Sequence, residues 1–330
     1  MEQRKSDHIR IALQSQVSPD EQDIRFHYEP LLQAHPAGDL PAFNFLGKQL
    51  RVPLWVSSMT GGTQGAKEIN SNLARACREF GMGMGLGSCR ILLHDNSYFD
   101  DFNMRDMIGE NLPFYANLGI VQVEQLVHGN KVSLIHDLVS RLRSDGLIIH
   151  INPLQEWFQP EGDRLAYPPI DTIQRFLTMA RYPVIVKEVG QGMGPASIRE
   201  LFKLPLAAIE FAAFGGTNFA RAELLRGSPE RQFLYEPYTR IGEIGYDMIG
   251  YVNDVLNTHP TPGSYEVIVS GGIKNFLDGY YLISKIQATA IYGQASGFLQ
   301  HANDSYESLQ KYCIDQVNGL KLAYAYLTVR

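Results

Sequence analysis

Residues 184–218 read VIVKEVGQGMGPASIRELFKLPLAAIEFAAFGGTN. They open on a short β-branched run, Val184–Lys187, that breaks into Gly190 and Gly192. A helix-period segment follows over Pro195–Phe202, then a second apolar run over Ala208–Phe211 that ends at Gly215-Gly216. Strand, glycine-rich turn, helix and strand in this order make a βαβ unit, whose strands are parallel and joined by a crossover helix. The cycle recurs on both sides. Apolar runs at Pro53–Ser57, Met82–Leu86, Phe114–Asn117, Leu147–His150, Val267–Val269 and Thr289–Tyr292 bring the strands to eight. Helix-period segments lie at Gly65–Phe80, Val132–Leu142, Ile170–Met179, Tyr238–Leu256 and Phe276–Ile286, with a terminal helix over Ser305–Leu327. Eight repeats predict an α/β fold of the (β/α)8 TIM-barrel type. No GxGxxG fingerprint follows the first strand, which weighs against an open dinucleotide-binding sheet. Residues 53–330 are expected to form the barrel and residues 1–52 an N-terminal capping extension, with a small hairpin over Phe45–Leu50. Gly215–Tyr238 reads as a long loop, and long loops in compact domains are usually functional.

The composition sustains one large core: 330 residues, 45% hydrophobic and 19% charged. A net charge of −6 argues against nucleic acid as a partner, so an anionic ligand would need locally placed Arg and Lys. Cys77, Cys89 and Cys313 are spaced too widely for a disulfide framework or a zinc site. The polar N-terminus is no signal peptide, and no apolar run approaches the ~20 residues of a membrane span. A cytoplasmic protein with no membrane contact is expected.

In a barrel the active site lies at the C-terminal ends of the strands. Here those ends carry Ser58-Met59-Thr60-Gly61-Gly62, Gly87-Ser88-Cys89-Arg90, Ala116-Asn117-Leu118-Gly119 and His150-Ile151-Asn152-Pro153-Leu154-Gln155-Glu156. The later ones carry Lys187–Gly192, Gly215-Gly216-Thr217-Asn218, Ser270-Gly271-Gly272-Ile273-Lys274 and Gly293-Gln294. Glycines let backbone N–H groups approach a ligand, and those after strands seven and eight occupy the usual barrel phosphate site, so a phosphorylated cofactor is expected. Lys187 either reaches solvent or presents a fixed positive charge to that cofactor. His150, Asn152, Gln155 and Glu156 are either a polar loop with a solvated carboxylate or an oxygen-ligand metal site. One carboxylate plus substrate phosphates is a common way to hold Mg2+. Arg4 and Lys5 read, by themselves, as a solvated basic terminus.

Together with Arg4-Lys5-Ser6-Asp7-His8-Ile9, these segments resemble the type 2, FMN-dependent isopentenyl-diphosphate isomerases, in family order over nearly the whole chain. The His-x-Asn-Pro-x-Gln-Glu run is the most specific. The resemblance implies conversion of isopentenyl diphosphate to dimethylallyl diphosphate in isoprenoid biosynthesis, with reduced FMN as acid–base and NADPH only as its reductant. It implies Gln155, His150 and Lys187 as the catalytic group. Arg4, Lys5, Ser88, Arg90, His150, Asn152 and Gln155 would bind the diphosphate substrate, and Glu156 would hold Mg2+. For FMN it implies Ser58, Met59, Thr60, Ser88, Asn117, Lys187, Thr217, Gly271, Gly272, Lys274, Gly293 and Gln294. It also implies a homo-oligomer. The sequence departs from the family pattern at Ala213-Phe214, Gly194, Lys274 and Gln287-Ala288, all near the flavin's expected surroundings. A 2-hydroxy-acid oxidase would want a His base and an Arg in the late loops. Gly215–Gly227 offers Arg221 and Arg226 but no His. A non-catalytic flavin-binding relative is the other alternative, and the retained Gln155 and Glu156 argue against it.

Overall fold

The computed structural model describes residues 7–8, 11–12, 14–58, 62, 65–258 and 265–330. Three short strands come first: β1 (Phe26–Tyr28), β2 (Phe43–Phe45) and β3 (Lys48–Leu50). β2 and β3 form an antiparallel hairpin whose turn, Leu46-Gly47, takes both residues to positive φ, 51° and 70°. Phe45 and Leu50 are fully buried beneath the barrel, and the Leu46 N–H donates to the Glu266 carboxylate at 2.8 Å.

The eight runs read as strands are strands: β4 (Leu54–Val56), β5 (Gly83–Gly85), β6 (Phe114–Gly119), β7 (Gly146–Ile151), β8 (Val184–Glu188), β9 (Ala208–Glu210), β10 (Glu266–Ser270) and β11 (Thr289–Gln294). They are parallel, and β11 returns to pair with β4, which closes the barrel. Every residue of β6 and β8 is buried, as expected of strands covered on both faces. The interior is filled, not hollow. A Cβ on Gly83 would stand 2.5 Å from the Trp55 ring, and one on Gly85 would stand 2.5 Å from Ile148 Cδ1. The glycines of β5 therefore make the room that Trp55 and Ile148 fill.

The outer layer follows the expected helices at Ala66–Phe80, Ser133–Arg141, Pro169–Leu177, Pro195–Leu201, Phe276–Lys285 and Tyr306–Tyr326. Two expectations are corrected. The segment Gly215–Tyr238 is not one loop but carries two helices, Phe219–Arg226 and Pro229–Tyr235. Asn218 and Ser228 cap them through their side chains, and Pro229 sits in the first turn of the second. The single helix expected over Tyr238–Leu256 is split into a 3-10 turn, Glu236–Arg240, and a helix, Gly245–Thr258. The intervening backbone is used elsewhere: Glu243 N–H donates to Gln191 O and Glu243 O accepts from Phe214 N–H, both at 2.8 Å. Gly242 there has room for no Cβ, since Gln191 O would lie 2.6 Å away.

Among the described residues the α-helices Phe99–Phe102, Arg105–Ile108, Ile120–His128, Pro153–Phe158 and Ser296–Asp304 also went unread. The last strand, β12 (Leu327–Val329), pairs antiparallel with β1. The three cysteines are buried and free. Among the described residues no helix is long and apolar enough to cross a membrane.

Candidate active site

A cavity of about 330 Å3 opens at the C-terminal ends of the barrel strands. One wall is built from glycine. Gly271 and Gly272 hold φ of 89° and 72°, and Gly215 holds 115°. A Cβ on Gly216 would lie 3.1 Å from Gly272 N, so the two Gly-Gly pairs lie against each other. Such close approach of two loops exposes backbone N–H groups as a ready anion cradle. Gly293, Ser296 and Gly297 line the same cavity. The helix Ser296–Asp304 therefore starts at its edge and adds the positive end of its dipole. Gln294 also lines the cavity, yet its amide is committed. It donates to Ile273 O at 3.3 Å and accepts from the Tyr312 hydroxyl at 3.0 Å. Thr217 and Lys274 stand exposed on the rim.

Lys187 is 6% exposed and lines the same cavity, so the solvent-reaching alternative does not hold. Its ammonium donates to Glu188 O at 2.8 Å. The Glu188 carboxylate accepts from the N–H groups of Gly190, Gln191 and Gly192 at 2.7, 2.6 and 3.0 Å, which turns the loop after β8. Ser57, Ser58, Ser270 and Glu210 also line the cavity. Ser58 Oγ is buried without a hydrogen-bond partner.

The second cluster stands beside this cavity rather than in its lining. His150 is opposite Lys187 in the β7–β8 register. The Asn117 amide donates to Leu86 O at 3.0 Å, so its oxygen faces His150 Nδ1 at 2.8 Å. That arrangement places the imidazole proton on Nδ1 and leaves Nε2 as an acceptor. The ring keeps some surface open while protein surrounds it. Burial first, and the Lys187 ammonium second, push its pKa down to about 3. An unfolded imidazole titrates near ~6.5. Between these values the unfolded chain holds a proton that the folded chain lacks, so stability falls as pH drops through that window and is unaffected above it. Denaturant midpoints at pH 7 and pH 5 should therefore fall further for the native chain than for His150→Asn. Equal losses would mean that His150 titrates normally in the folded protein.

Asn152 precedes the helix Pro153–Phe158 and donates to Gln155 Oε1 at 3.2 Å and Glu156 Oε1 at 3.0 Å. Gln155 donates in turn to Glu223 Oε1 at 3.2 Å. Glu156 is buried, and its other oxygen accepts from Asp163 N–H at 3.0 Å, so it is no solvated loop carboxylate. Arg90 is half exposed and pairs with Asp163 at 3.1 Å. Ser88 is exposed. Arg4, Lys5, Met59 and Thr60 lie outside the described residues. No group of three or more His, Cys, Asp or Glu among the described residues is placed to hold a metal ion.

Of the buried carboxylates not assigned a role from the sequence, Glu210 lines the cavity and Glu223 accepts from Gln155. Glu223 lay in the segment read as loop. Glu210 closes an apolar strand, and a carboxylate there must find partners or a function, which was signal enough to mark it.

No family model matches the chain. Curated relatives do. It is 34% identical over 317 residues to the isopentenyl-diphosphate delta-isomerase of Rickettsia felis, covering 93% of this chain and 87% of the relative. It is 34% identical over 330 residues to that of a Synechococcus species, covering 97% and 90%. Among solved structures it is similar to a flavocytochrome b2 variant with benzoylformate, at TM-score 0.63 and 13% identity, covering 92% and 76%. It is also similar to a mandelate oxidase variant with an FMN adduct, at TM-score 0.56 and 11% identity, covering 93% and 88%. Those two share the barrel; the relatives share sequence along nearly its whole length, and the chain accordingly belongs to the type 2 isopentenyl-diphosphate delta-isomerase family.

Proposed function

We propose that the cavity binds FMN and that the protein interconverts isopentenyl and dimethylallyl diphosphate. The observation that carries this reading is the pairing of an anion cradle at Gly271-Gly272 with a buried ammonium, Lys187, in one cavity in a member of this family. The residues present fit such a group: backbone donors for one phosphate, a fixed cation, and a Ser58 hydroxyl without a partner. Bound FMN, once reduced by NADPH, would supply the proton donor and acceptor, so the double bond moves with no net redox change. Lys187 would hold positive charge beside the bound ring and favour its reduced, anionic form.

The substrate's diphosphate falls to the second cluster. His150 is neutral without it, and an arriving polyanion supplies the charge that favours the imidazolium and a charge-assisted hydrogen bond. Arg90 shares its guanidinium between Asp163 and the diphosphate. Asn152, whose Oδ1 lacks a partner, and Gln155 fix the orientation. Each Glu156 oxygen accepts one N–H and keeps a lone pair free. Glu156 can therefore hold Mg2+ against substrate oxygens.

An anaerobic assay with FMN, Mg2+ and NADPH, each omitted in turn, tests this reading. One reduction of the flavin should support many turnovers, because substrate and product share an oxidation state. One NADPH oxidised per product formed, without oxygen, would overturn it in favour of an oxidoreductase.

A further inference from the structure

Glu210 has no part in the reaction as proposed, yet it is fully buried and lines the cavity. Its strand, β9, lies between β8, which carries Lys187, and β10, which leads into Gly271-Gly272. Glu210 is opposite Lys187 in the register. A ligand held both by Lys187 and by Gly271-Gly272 would span β9, the strand that carries Glu210.

The hydrogen bonding there has a direction. Ser57, just past β4, and Ser270, at the end of β10, both donate to Glu210 Oε1, at 2.6 and 3.2 Å. Ser270 Oγ also accepts from Ala212 N–H at 2.9 Å, which fixes its hydroxyl. Both serine protons are thus spent on the carboxylate, and what the serines can still offer is lone pairs. Glu210 Oε2 adds another acceptor. The buried Trp55 indole N–H lies close enough to this carboxylate to help lower its pKa, but its geometry falls short of a hydrogen bond, so Oε2 keeps acceptor capacity. Burial raises the carboxyl's pKa, and the Lys187 ammonium opposes that rise. A floor of acceptors suits a linker rich in donors.

We propose that Glu210 is a binding residue that, with Ser57 and Ser270, makes its part of the cavity floor rich in acceptors and so recognises the hydroxyl groups of a polyol linker between ring and phosphate. In FMN that linker is the ribityl chain, so the inference rests on the cofactor reading and deepens it.

The test measures dissociation constants of two ligands for the native protein, Glu210→Gln and the milder Ser57→Ala. The ligands are FMN and an analogue whose ribityl hydroxyls are replaced by hydrogen. The native protein should prefer FMN by about tenfold or more. Glu210→Gln, whose amide adds donors to the floor, should bring that preference to within about twofold while the analogue's affinity stays nearly constant. Ser57→Ala should lose part of the preference. If both ligands weaken by the same factor in Glu210→Gln, or if the preference persists in both variants, the inference is wrong and FMN binding stands. If the native protein binds neither ligand, the cofactor reading falls and takes the inference with it.

Discussion

Gly271→Ala should destabilise the protein by roughly 3–5 kcal/mol and abolish FMN retention. The position holds φ at 89°, a region that side chains other than glycine's adopt only under strain. Space is the harder constraint. The new Cβ would lie 2.2 Å from both the N and the O of Ala213. These are backbone atoms, and Ala213 N–H is already bonded to Ser270 O at 2.8 Å, so the neighbour cannot yield without breaking the barrel's own pairing. Any relief moves the loop that forms the anion cradle. Gly194→Ser is the matched control. Gly194 has an ordinary φ of −70° at a helix N-cap, and a Cβ there meets only Glu243 Oε1 at 3.8 Å. Serine is a favoured N-cap residue, so stability should hold or rise slightly. Denaturant unfolding with flavin absorbance reads both variants. A Gly271→Ala protein within about 1 kcal/mol of the native chain would show that the close approach is no constraint.

Glu156→Gln should cut turnover on the order of 100-fold and abolish the response to Mg2+ while leaving FMN affinity nearly unchanged. The carboxylate accepts from Asn152 through one oxygen and from Asp163 N–H through the other. An amide can present an oxygen to only one of them. The second donor then faces an NH2 group, at a local cost of about 1–3 kcal/mol. Two effects are therefore superposed, loss of charge and loss of the latch on the loop at Asp163. They separate by titration. If charge is the issue, activity stays low at saturating Mg2+ and the thermal midpoint falls little. If the latch is the issue, the midpoint falls and activity recovers when the loop is stabilised at low temperature. Native turnover at low Mg2+ would remove Glu156 from the metal site.

The barrel was legible because the eight strands are buried in the core and so read as apolar runs, each ending at glycine or a reactive polar group. The element ends slipped by a residue or two, since hydrogen bonding and not composition sets them. Gly215–Tyr238 was misread because glycine and polar residues open it, while its helix signals are two caps, Asn218 and Ser228-Pro229, with little apolar periodicity behind them. The Tyr238–Leu256 pattern was periodic, but the backbone of Glu243 serves the loops after β8 and β9, a long-range demand that local spacing does not carry. At the site, Lys187 was visible as a charge closing an apolar strand. Glu210 closes its neighbour in the same way and was passed over because its strand end was read at the glycine pair beyond it. The protonation of His150 could not be read at all. It depends on Asn117, a residue of the adjacent strand, and on the charge of Lys187 across the register.

The closure of the barrel by β11 on β4, and the clasp of β12 on β1, also sets the order of assembly. Both pairings join segments from opposite ends of the chain: Tyr292 meets Leu54, and Val329 meets Phe26. Contacts of such separation form slowly, because the loop entropy is lost before the contact is gained. During synthesis β4 emerges early and holds an open edge until β11 has left the ribosome. An open parallel edge is a template for pairing with other chains. Its three residues, Leu54–Val56, keep that template short while the remaining strands are still being made.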